Sequence, residues 1–372
     1  MTSRERLLCS IVRKPTDRVP VSTYELVGFD SDAWENREPS YRRLMDKIRA
    51  HTDCIAMWNP GTNERFLHSA YPVEVDSVQS VDGKVTSIHN TMHTPKGDLT
   101  QTLSMTEGVH TVWQVEHWCK SPGDVDKALS VPYEPIAHDP SDHARIFAEV
   151  GDNGIVMSST GDALLFAAEL MEMGEYTVWA MTETEHFVRT LEILHERNQD
   201  TVRNMLQTAP VDLYRICGPE YATPPYLPPA LFERFVVKFV REQVELIHRF
   251  GAKARLHCHG KIGRVINLIA ETGADAIDPC ESPPFGDIDL SEVKRRVGAN
   301  MCIFGNLQLN LLENGSEAAV RHHVRECMDA AKAGGGFVIM PTAAPINVPL
   351  SSHTEANYLA FIDEAARFGT YG

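Results

Sequence analysis

The feature that most constrains the fold is a regular alternation of short apolar segments with amphipathic segments, which begins at residue 155. Segments such as residues 155–158 and 337–340 are short, continuous and apolar, as expected of strands that are buried on both faces. Between them lie segments whose apolar residues have helical spacing, the longest at residues 182–207. Alternation of this kind predicts a parallel sheet whose strands are connected by helices.

Eight segments qualify as strands of that sheet. They begin near residues 20, 53, 155, 211, 254, 275, 301 and 337. Eight parallel strands, most of them leading into a helix, predict an α/β fold of the (β/α)8 TIM-barrel type. An open, doubly wound sheet is the alternative. No Gly-x-Gly-x-x-Gly follows an early strand and no phosphate-binding loop sequence is present, which disfavours a nucleotide-binding fold.

The segment from about residue 67 to 120 follows a different pattern. It alternates apolar with polar residues, is rich in Thr, Val, Ser and His, and carries turn pairs at Asp82-Gly83 and Lys96-Gly97. These features predict antiparallel hairpins. We therefore expect one domain, residues 1–372, with a β-rich insertion after the second strand of the barrel.

The clearest sign of a functional site lies where two neighbouring strands end. Residues 254–260 form a short apolar strand that runs into His257 and His259, and strand residues i and i+2 project from the same face. The helical pattern of residues 261–272 connects this strand to the next one, at residues 275–278. A strand–helix–strand unit makes its two strands parallel neighbours, so their C-terminal ends meet at one rim.

Four side chains of metal-binding type are therefore expected at this rim. The second strand runs into Cys280 and Glu281, which join His257 and His259. Two imidazoles with a third donor suit a divalent metal. Glu281, which we favour slightly, would complete a site of two histidines and a glutamate, whereas Cys280 would make the site softer. The alternative is a pair of strand-end histidines satisfied by backbone carbonyls.

Other polar residues near strand ends are candidates for the same pocket. Glu220 and Tyr221 follow the fourth strand, and a carboxylate and a phenol in this position suit acid–base catalysis or substrate binding. A purely structural role at the start of a helix is an equal alternative for Glu220. Glu25, Asn59 and Asn306 lie near other strand ends and are predicted to bind substrate.

Charge and composition narrow the class of protein. The net charge of −16 opposes binding to phosphate backbones, so we expect no nucleic-acid partner. No apolar run reaches the ~18 residues of a membrane span, and the first residues mix acids with bases rather than forming a secretory signal. The eight cysteines are scattered and form no Cys-x-x-Cys pair, which favours reduced thiols in a cytoplasmic protein.

The chain resembles the uroporphyrinogen decarboxylase superfamily over nearly its whole length. The resemblance is carried by the order and spacing of several segments, none of which is specific alone: residues 4–8, 14–20, 159–162, 229–236, 251–257, 272–275, 304–306, 334–339 and 354–357. It implies a distorted (β/α)8 barrel.

The superfamily has two broad branches, and the chain is more similar to one of them. True decarboxylases carry an N-terminal arginine motif and a pocket aspartate, where this chain has residues 23–26 and 58–61 without either. Zinc-dependent methyltransferases that use a corrinoid protein carry His-x-Cys-Gly where this chain reads residues 257–260, His-Cys-His-Gly. Their third zinc ligand is a cysteine after the last strand. Residues 340–345 hold none, which leaves Glu281, Cys280 or Glu220 as the third ligand.

The resemblance thus implies a zinc-dependent methyltransferase that demethylates a small methylated substrate or methylates a thiol. The chain has no corrinoid-binding Asp-x-His-x-x-Gly motif, so the corrinoid is expected on a separate partner protein. A homodimer is expected, as is common among soluble proteins. The runner-up is a decarboxylase or lyase that acts on a small carboxylate. A third hypothesis is a non-catalytic protein that binds a small ligand and has kept only the barrel.

Overall fold

The structure, a computed structural model, describes residues 1–371. The strands are β1 (Cys54–Met57), β2 (Gly61–Thr62), β3 (Glu74–Asp82), β4 (Val85–Thr94), β5 (Gly97–Thr106), β6 (Trp113–Glu116), β7 (His138–Asp139), β8 (Gly154–Gly161), β9 (Leu213–Cys217), β10 (Lys253–Cys258), β11 (Ala276–Pro279), β12 (Cys302–Leu307) and β13 (Phe337–Pro341). The α-helices are α1 (Ser3–Ile11), α2 (Trp34–Arg37), α3 (Arg42–His51), α4 (Pro122–Ala128), α5 (His143–Val150), α6 (Ala163–Ala168), α7 (Met173–Thr182), α8 (Thr184–Thr208), α9 (Pro229–Phe232), α10 (Lys238–Arg249), α11 (Ile266–Glu271), α12 (Leu290–Val297), α13 (Leu309–Asn314), α14 (Glu317–Ala331) and α15 (Ser352–Phe368).

The core of the molecule is a curled parallel sheet of seven strands in the order β1-β8-β9-β10-β11-β12-β13. An irregular segment closes it into a distorted (β/α)8 barrel. Val21 forms a parallel bridge with Ile339 of β13, and the Asp53 N–H, just before β1, donates to the Val21 carbonyl (2.7 Å). The predicted α/β barrel is confirmed.

The first predicted strand, near residue 20, is wrong as a strand although the segment occupies the expected position. Pro20 has no N–H to donate to a neighbouring strand. Tyr24 has a φ of +59°, which ends the extended conformation only a few residues later. The segment therefore closes the barrel with a single bridge, and β1 is the first strand in the chain.

Helix α1 covers the end of the barrel where the strands begin. Leu7 and Ile11 pack with residues at the starts of the barrel strands, including Ile55, Ile155 and Leu213. This apolar cluster fills the lower interior of the barrel. The opposite end, where the strands finish, is left for polar side chains, as in other barrels of this type.

The predicted β insertion is present between β1 and β8. Strands β3 to β6 form an antiparallel sheet in sequence order, and they lie inside the predicted range. Met92 and Leu99 are direct register partners and are both buried, so they attach one end of this sheet to the rest of the molecule. Among the helices in residues 1–371, none is both long and apolar enough to span a membrane.

Candidate active site

Two histidine–carboxylate pairs lie at the rim where β10 and β11 end. These strands pair in parallel, with His257 directly beside Asp278. Nδ1 of His257 donates to Oδ2 of Asp278 (2.8 Å), and Nδ1 of His259 lies 3.1 Å from Oε2 of Glu281. The two imidazole rings are nearly perpendicular, with centroids 4.5 Å apart. The strand–helix–strand unit thus brings together both histidines and Glu281.

Charge interactions set the ionisation of these carboxylates. Burial alone would raise the pKa of Asp278, but the neighbouring charges of Arg255 and His257 hold that pKa well below its usual range. Burial also opposes the pKa shifts of His259 and Glu281. The contact between the two side chains nevertheless lowers the pKa of Glu281 and raises the pKa of His259. Both carboxylates are therefore anionic hydrogen-bond acceptors for the imidazoles.

This arrangement fits a metal ion in part. Histidines that bind a metal usually donate from their second ring nitrogen to a carboxylate. His257 does so through Nδ1, which leaves Nε2 as the metal-binding nitrogen, and Nδ1 of His259 contacts Glu281. Yet no group of three or more His, Cys, Asp or Glu side chains within residues 1–371 is placed to hold a metal. Two nitrogen donors are in place, and the third ligand is not preformed.

The three candidates for the third ligand differ in their surroundings. Cys280 is fully buried in the apolar core, and burial raises the pKa of its thiol well above the usual value. Glu281 contacts His259 directly and accepts a hydrogen bond from the Gly260 N–H (3.0 Å). Glu220 accepts from a backbone N–H in its own turn (2.9 Å). Glu281 thus lies against one of the histidines and Cys280 is packed as a core residue, while the choice of ligand stays a prediction.

A cavity of about 300 Å³, which we call the rim cavity, joins several of the predicted residues. Its lining residues are Met173, Glu220, Tyr221, Thr223, Tyr226, His259, Gly260, Glu281 and Phe285. Glu220 and Tyr221 lie on the 3-10 turn that follows β9, and the Tyr221 hydroxyl donates to Oε1 of Glu169 (3.3 Å). A carboxylate, a phenol and the outer histidine–glutamate pair therefore face one space.

Two buried arginines, which the sequence reasoning missed, lie deeper in the barrel. Arg215 of β9 and Arg255 of β10 are direct register partners. Arg215 donates to Oε1 of Glu25 (3.0 Å) and to the Tyr24 hydroxyl (3.4 Å), while Nε of Arg255 lies 2.9 Å from Oδ1 of Asp278. The predicted substrate-binding residue Glu25 thus belongs to this inner cluster.

A signal for these arginines was present in the sequence. Each is a charged residue inside an otherwise apolar strand, at residues 211–216 and 254–258. A strand of this kind is buried on both faces in a barrel. A charged side chain within it is therefore buried too and needs an oppositely charged or polar partner.

The family model described as uroporphyrinogen decarboxylase (URO-D) matches residues 89–365, well over half of the chain. The chain belongs to the URO-D family. The resemblance expected from the sequence is therefore confirmed.

Two individual proteins are similar to this URO-D family member, one in part of its sequence and one in its fold. It is 33% identical over 125 residues to a uroporphyrinogen decarboxylase from Streptomyces coelicolor, a match that covers 32% of this chain and 33% of that protein. It also superimposes on a solved methyltransferase from Methanosarcina mazei with a TM-score of 0.66 and 16% identity, covering 99% of both chains. The second similarity, at such low identity, establishes the fold alone.

The two predicted asparagines of this URO-D family member are engaged with the protein itself. Oδ1 of the exposed Asn59 accepts from the Ser159 N–H (2.9 Å). The buried Asn306 donates from Nδ2 to the Cys280 carbonyl (2.8 Å) and to Oγ of Ser282 (2.9 Å). Asn306 thus holds the loop after β11, next to Glu281, and a contact of either asparagine with substrate stays a prediction.

Proposed function

We propose that this URO-D family member is a zinc-dependent methyltransferase that works with a corrinoid carried by a separate protein. It would demethylate a small methylated substrate or methylate a thiol. The observation that carries the proposal is the adjacent pair of imidazoles, His257 and His259, each held at Nδ1 by a carboxylate. The family membership and the fold shared with a protein named a methyltransferase support it.

In this proposal His257 and His259 would hold zinc, and Glu281, Cys280 or Glu220 would supply the third ligand. Bound zinc supplies Lewis acidity, which keeps a thiol as thiolate near neutral pH or polarises the heteroatom that carries the methyl group. Asp278 would fix the tautomer and the ring orientation of His257, because an anionic carboxylate accepts only from a protonated Nδ1.

The other residues of the rim cavity would handle the substrate. Both Glu220 and Tyr221 line this cavity. In this proposal Glu220 would accept or return a proton at the substrate heteroatom, and the Tyr221 hydroxyl, which donates to Glu169, would accept a hydrogen bond from the substrate. Phe285 and Tyr226 are both partly exposed at the cavity, where their rings would exclude water from bound substrate. The corrinoid protein would dock over this open rim, where the barrel strands end.

The metal proposal is tested by elemental analysis of purified protein. We expect about one zinc per chain in the unmodified protein and most of it lost in His259→Ala, because that change removes one of two nitrogen donors. His322→Ala, which alters an exposed histidine of α14, is the matched control and should keep its zinc. Stoichiometric zinc retained in a His257→Ala/His259→Ala double variant would exclude this site.

The methyl-transfer proposal needs its own assay. Methylcobalamin and a small thiol are mixed with the zinc-loaded protein, and the loss of the cobalt–methyl bond is followed by visible absorbance. We expect turnover that depends on His257 and His259. Absence of methyl transfer with both free methylcobalamin and co-purified corrinoid proteins would count against the proposal.

A decarboxylase or lyase is the second candidate, and one observation favours it. The buried His257–Asp278 pair, which can deliver a proton, lies beside two buried arginines, which can bind a carboxylate. Release of CO2 from a small carboxylate without any corrinoid would favour this candidate over methyl transfer.

A further inference from the structure

Arg215 and Arg255 place two positive charges side by side inside the barrel. They are register partners on adjacent parallel strands, and their exposed fractions are only 8% and 2%. Taking a guanidinium out of water is costly unless its charge and its N–H groups find partners. Two adjacent buried arginines therefore need acceptors for their N–H groups and anions for their charges.

Arg255 is poorly satisfied by the protein. A guanidinium has five N–H donors. Its Nε is buried without a hydrogen bond, since the approach to Asp278 lacks hydrogen-bond geometry, and its terminal nitrogens donate to no residue within 1–371. The charge lies over the ring of Phe304, 5.1 Å from its centroid. Only Nε is fully buried, and it faces the Asp278 carboxylate, whereas the terminal nitrogens reach solvent and are free to donate to a further acceptor.

Arg215 is held by contacts that a ligand can replace. It donates to Oε1 of Glu25 (3.0 Å), and its contacts with Oγ of Ser159 and with the Tyr24 hydroxyl are longer, at 3.3 and 3.4 Å. The Glu25 side chain is 40% exposed, so it can turn to solvent at small cost when another anion arrives. Glu25 thus acts as a removable counter-ion.

We infer that Arg215 and Arg255 form a carboxylate-binding subsite, and that the substrates of this protein are small carboxylates. Planar guanidinium groups match a carboxylate through paired N–H donors, which an ammonium group cannot reproduce. Asp278 contacts both Arg255 and His257, so a carboxylate on the arginines lies next to the histidine pair. That such a substrate also carries a methyl group depends on the proposed function, whereas the carboxylate subsite is independent of it.

The test uses benzoate as the probe and benzamide as its neutral isostere. Binding is measured by calorimetry on the full chain after metal removal and without any corrinoid. We expect benzoate to bind and benzamide to bind at least ~10-fold more weakly, because benzamide lacks the charge that pairs with the arginines. Arg215→Lys and Arg255→Lys should each weaken benzoate binding by a similar factor.

Two further variants complete the design. Glu25→Gln removes the competing anion and should tighten benzoate binding severalfold. Because the Glu25 side chain is partly exposed, the change is compatible with folding. Arg203→Lys alters an arginine on the outer helix α8 and is the matched control, which should bind benzoate unchanged. Thermal melts report whether each lysine variant is folded.

The inference is overturned if benzoate does not bind, if benzamide binds equally well, or if the folded lysine variants bind benzoate like the unmodified chain. Should the lysine variants fail to fold, unchanged benzoate binding by Glu25→Gln overturns it instead. Failure of zinc binding or methyl transfer leaves these results untouched, because the probe needs neither. The two proposals can therefore fail separately.

Discussion

At the scale of single residues, the carboxylates that contact each histidine and the burial of its ring distinguish the histidines of this protein. His257 is buried against Asp278, whereas His259 reaches the rim cavity beside Glu281. A third case lies in the β insertion. There Nδ1 and Nε2 of His93 contact Asp98 (2.9 Å) and Asp76 (3.0 Å) on the two flanking strands.

His93 offers a direct test of these charge interactions. Hydrogen bonds that His93 donates to Asp76 and Asp98 raise the pKa of His93 to about 9. A raised pKa means that the favourable contribution is complete below the unfolded value of about 6.5 and is lost as pH rises toward about 9. We expect NMR titration to place the His93 midpoint well above 7.5, and Asp98→Asn to lower it. A midpoint near 6.5 in the unmodified chain would contradict the contacts.

At the scale of secondary-structure elements, a buried ion-pair network connects α1 to the barrel. Asp53, immediately before β1, is fully buried and accepts from Nη1 of Arg6 in α1 (2.5 Å) and from Nη1 of Arg18 (2.7 Å). It also accepts from the Val21 N–H (2.8 Å), in the segment that closes the barrel. One carboxylate therefore joins three parts of the chain.

We expect Asp53→Ala to lower the free energy of unfolding by about 3 kcal/mol, because it leaves Nη1 of the buried Arg6 and the Val21 N–H without their acceptor, although Arg6 keeps its contact with Asp17. Urea denaturation measures the change. Asp46→Ala, which removes an exposed partner of Arg49 in α3, is the control and should change stability by less than about 1 kcal/mol. Equal effects of the two changes would show that α1 is not held by this network.

Element boundaries show where sequence patterns are informative. The predicted helix over residues 182–207 is confirmed as α8, because its apolar residues repeat along one buried stripe. The N-cap of α15 is Ser351, which accepts from the Thr354 N–H, although Ser352 and Glu355 have the spacing of a capping box. Two consecutive serines offer the same hydroxyl, so sequence alone does not select between them.

At the scale of the whole molecule, the net charge of −16 governs association. The homodimer stays a prediction, and we expect sedimentation to give about twice the chain mass of 41.5 kDa. Like charges on the two copies repel, and salt screens that repulsion, so the dimer fraction should rise between low and moderate ionic strength. A monomer at all salt concentrations and at micromolar protein would exclude the dimer.

The candidate site divides into a part that the sequence predicted and a part that it did not. His257, His259 and Glu281 were expected to meet because a strand–helix–strand unit has one common topology, which brings the two strand ends together. Glu220 and Tyr221 were expected to line a pocket, and they do face the rim cavity with His259. Their chemical roles remain predictions.

The sequence by itself determined the order of strands and helices, the presence of the β insertion and the meeting of the two histidines with Glu281, because each depends on local periodicity or on one short connection. Only the tertiary structure decided that Arg215, Arg255 and Asp278 form one interior cluster and that Cys280 is packed in the core. The physical reason is barrel closure. When a strand is buried on both faces, its sequence does not reveal which face lines the interior until the sheet has curled and closed.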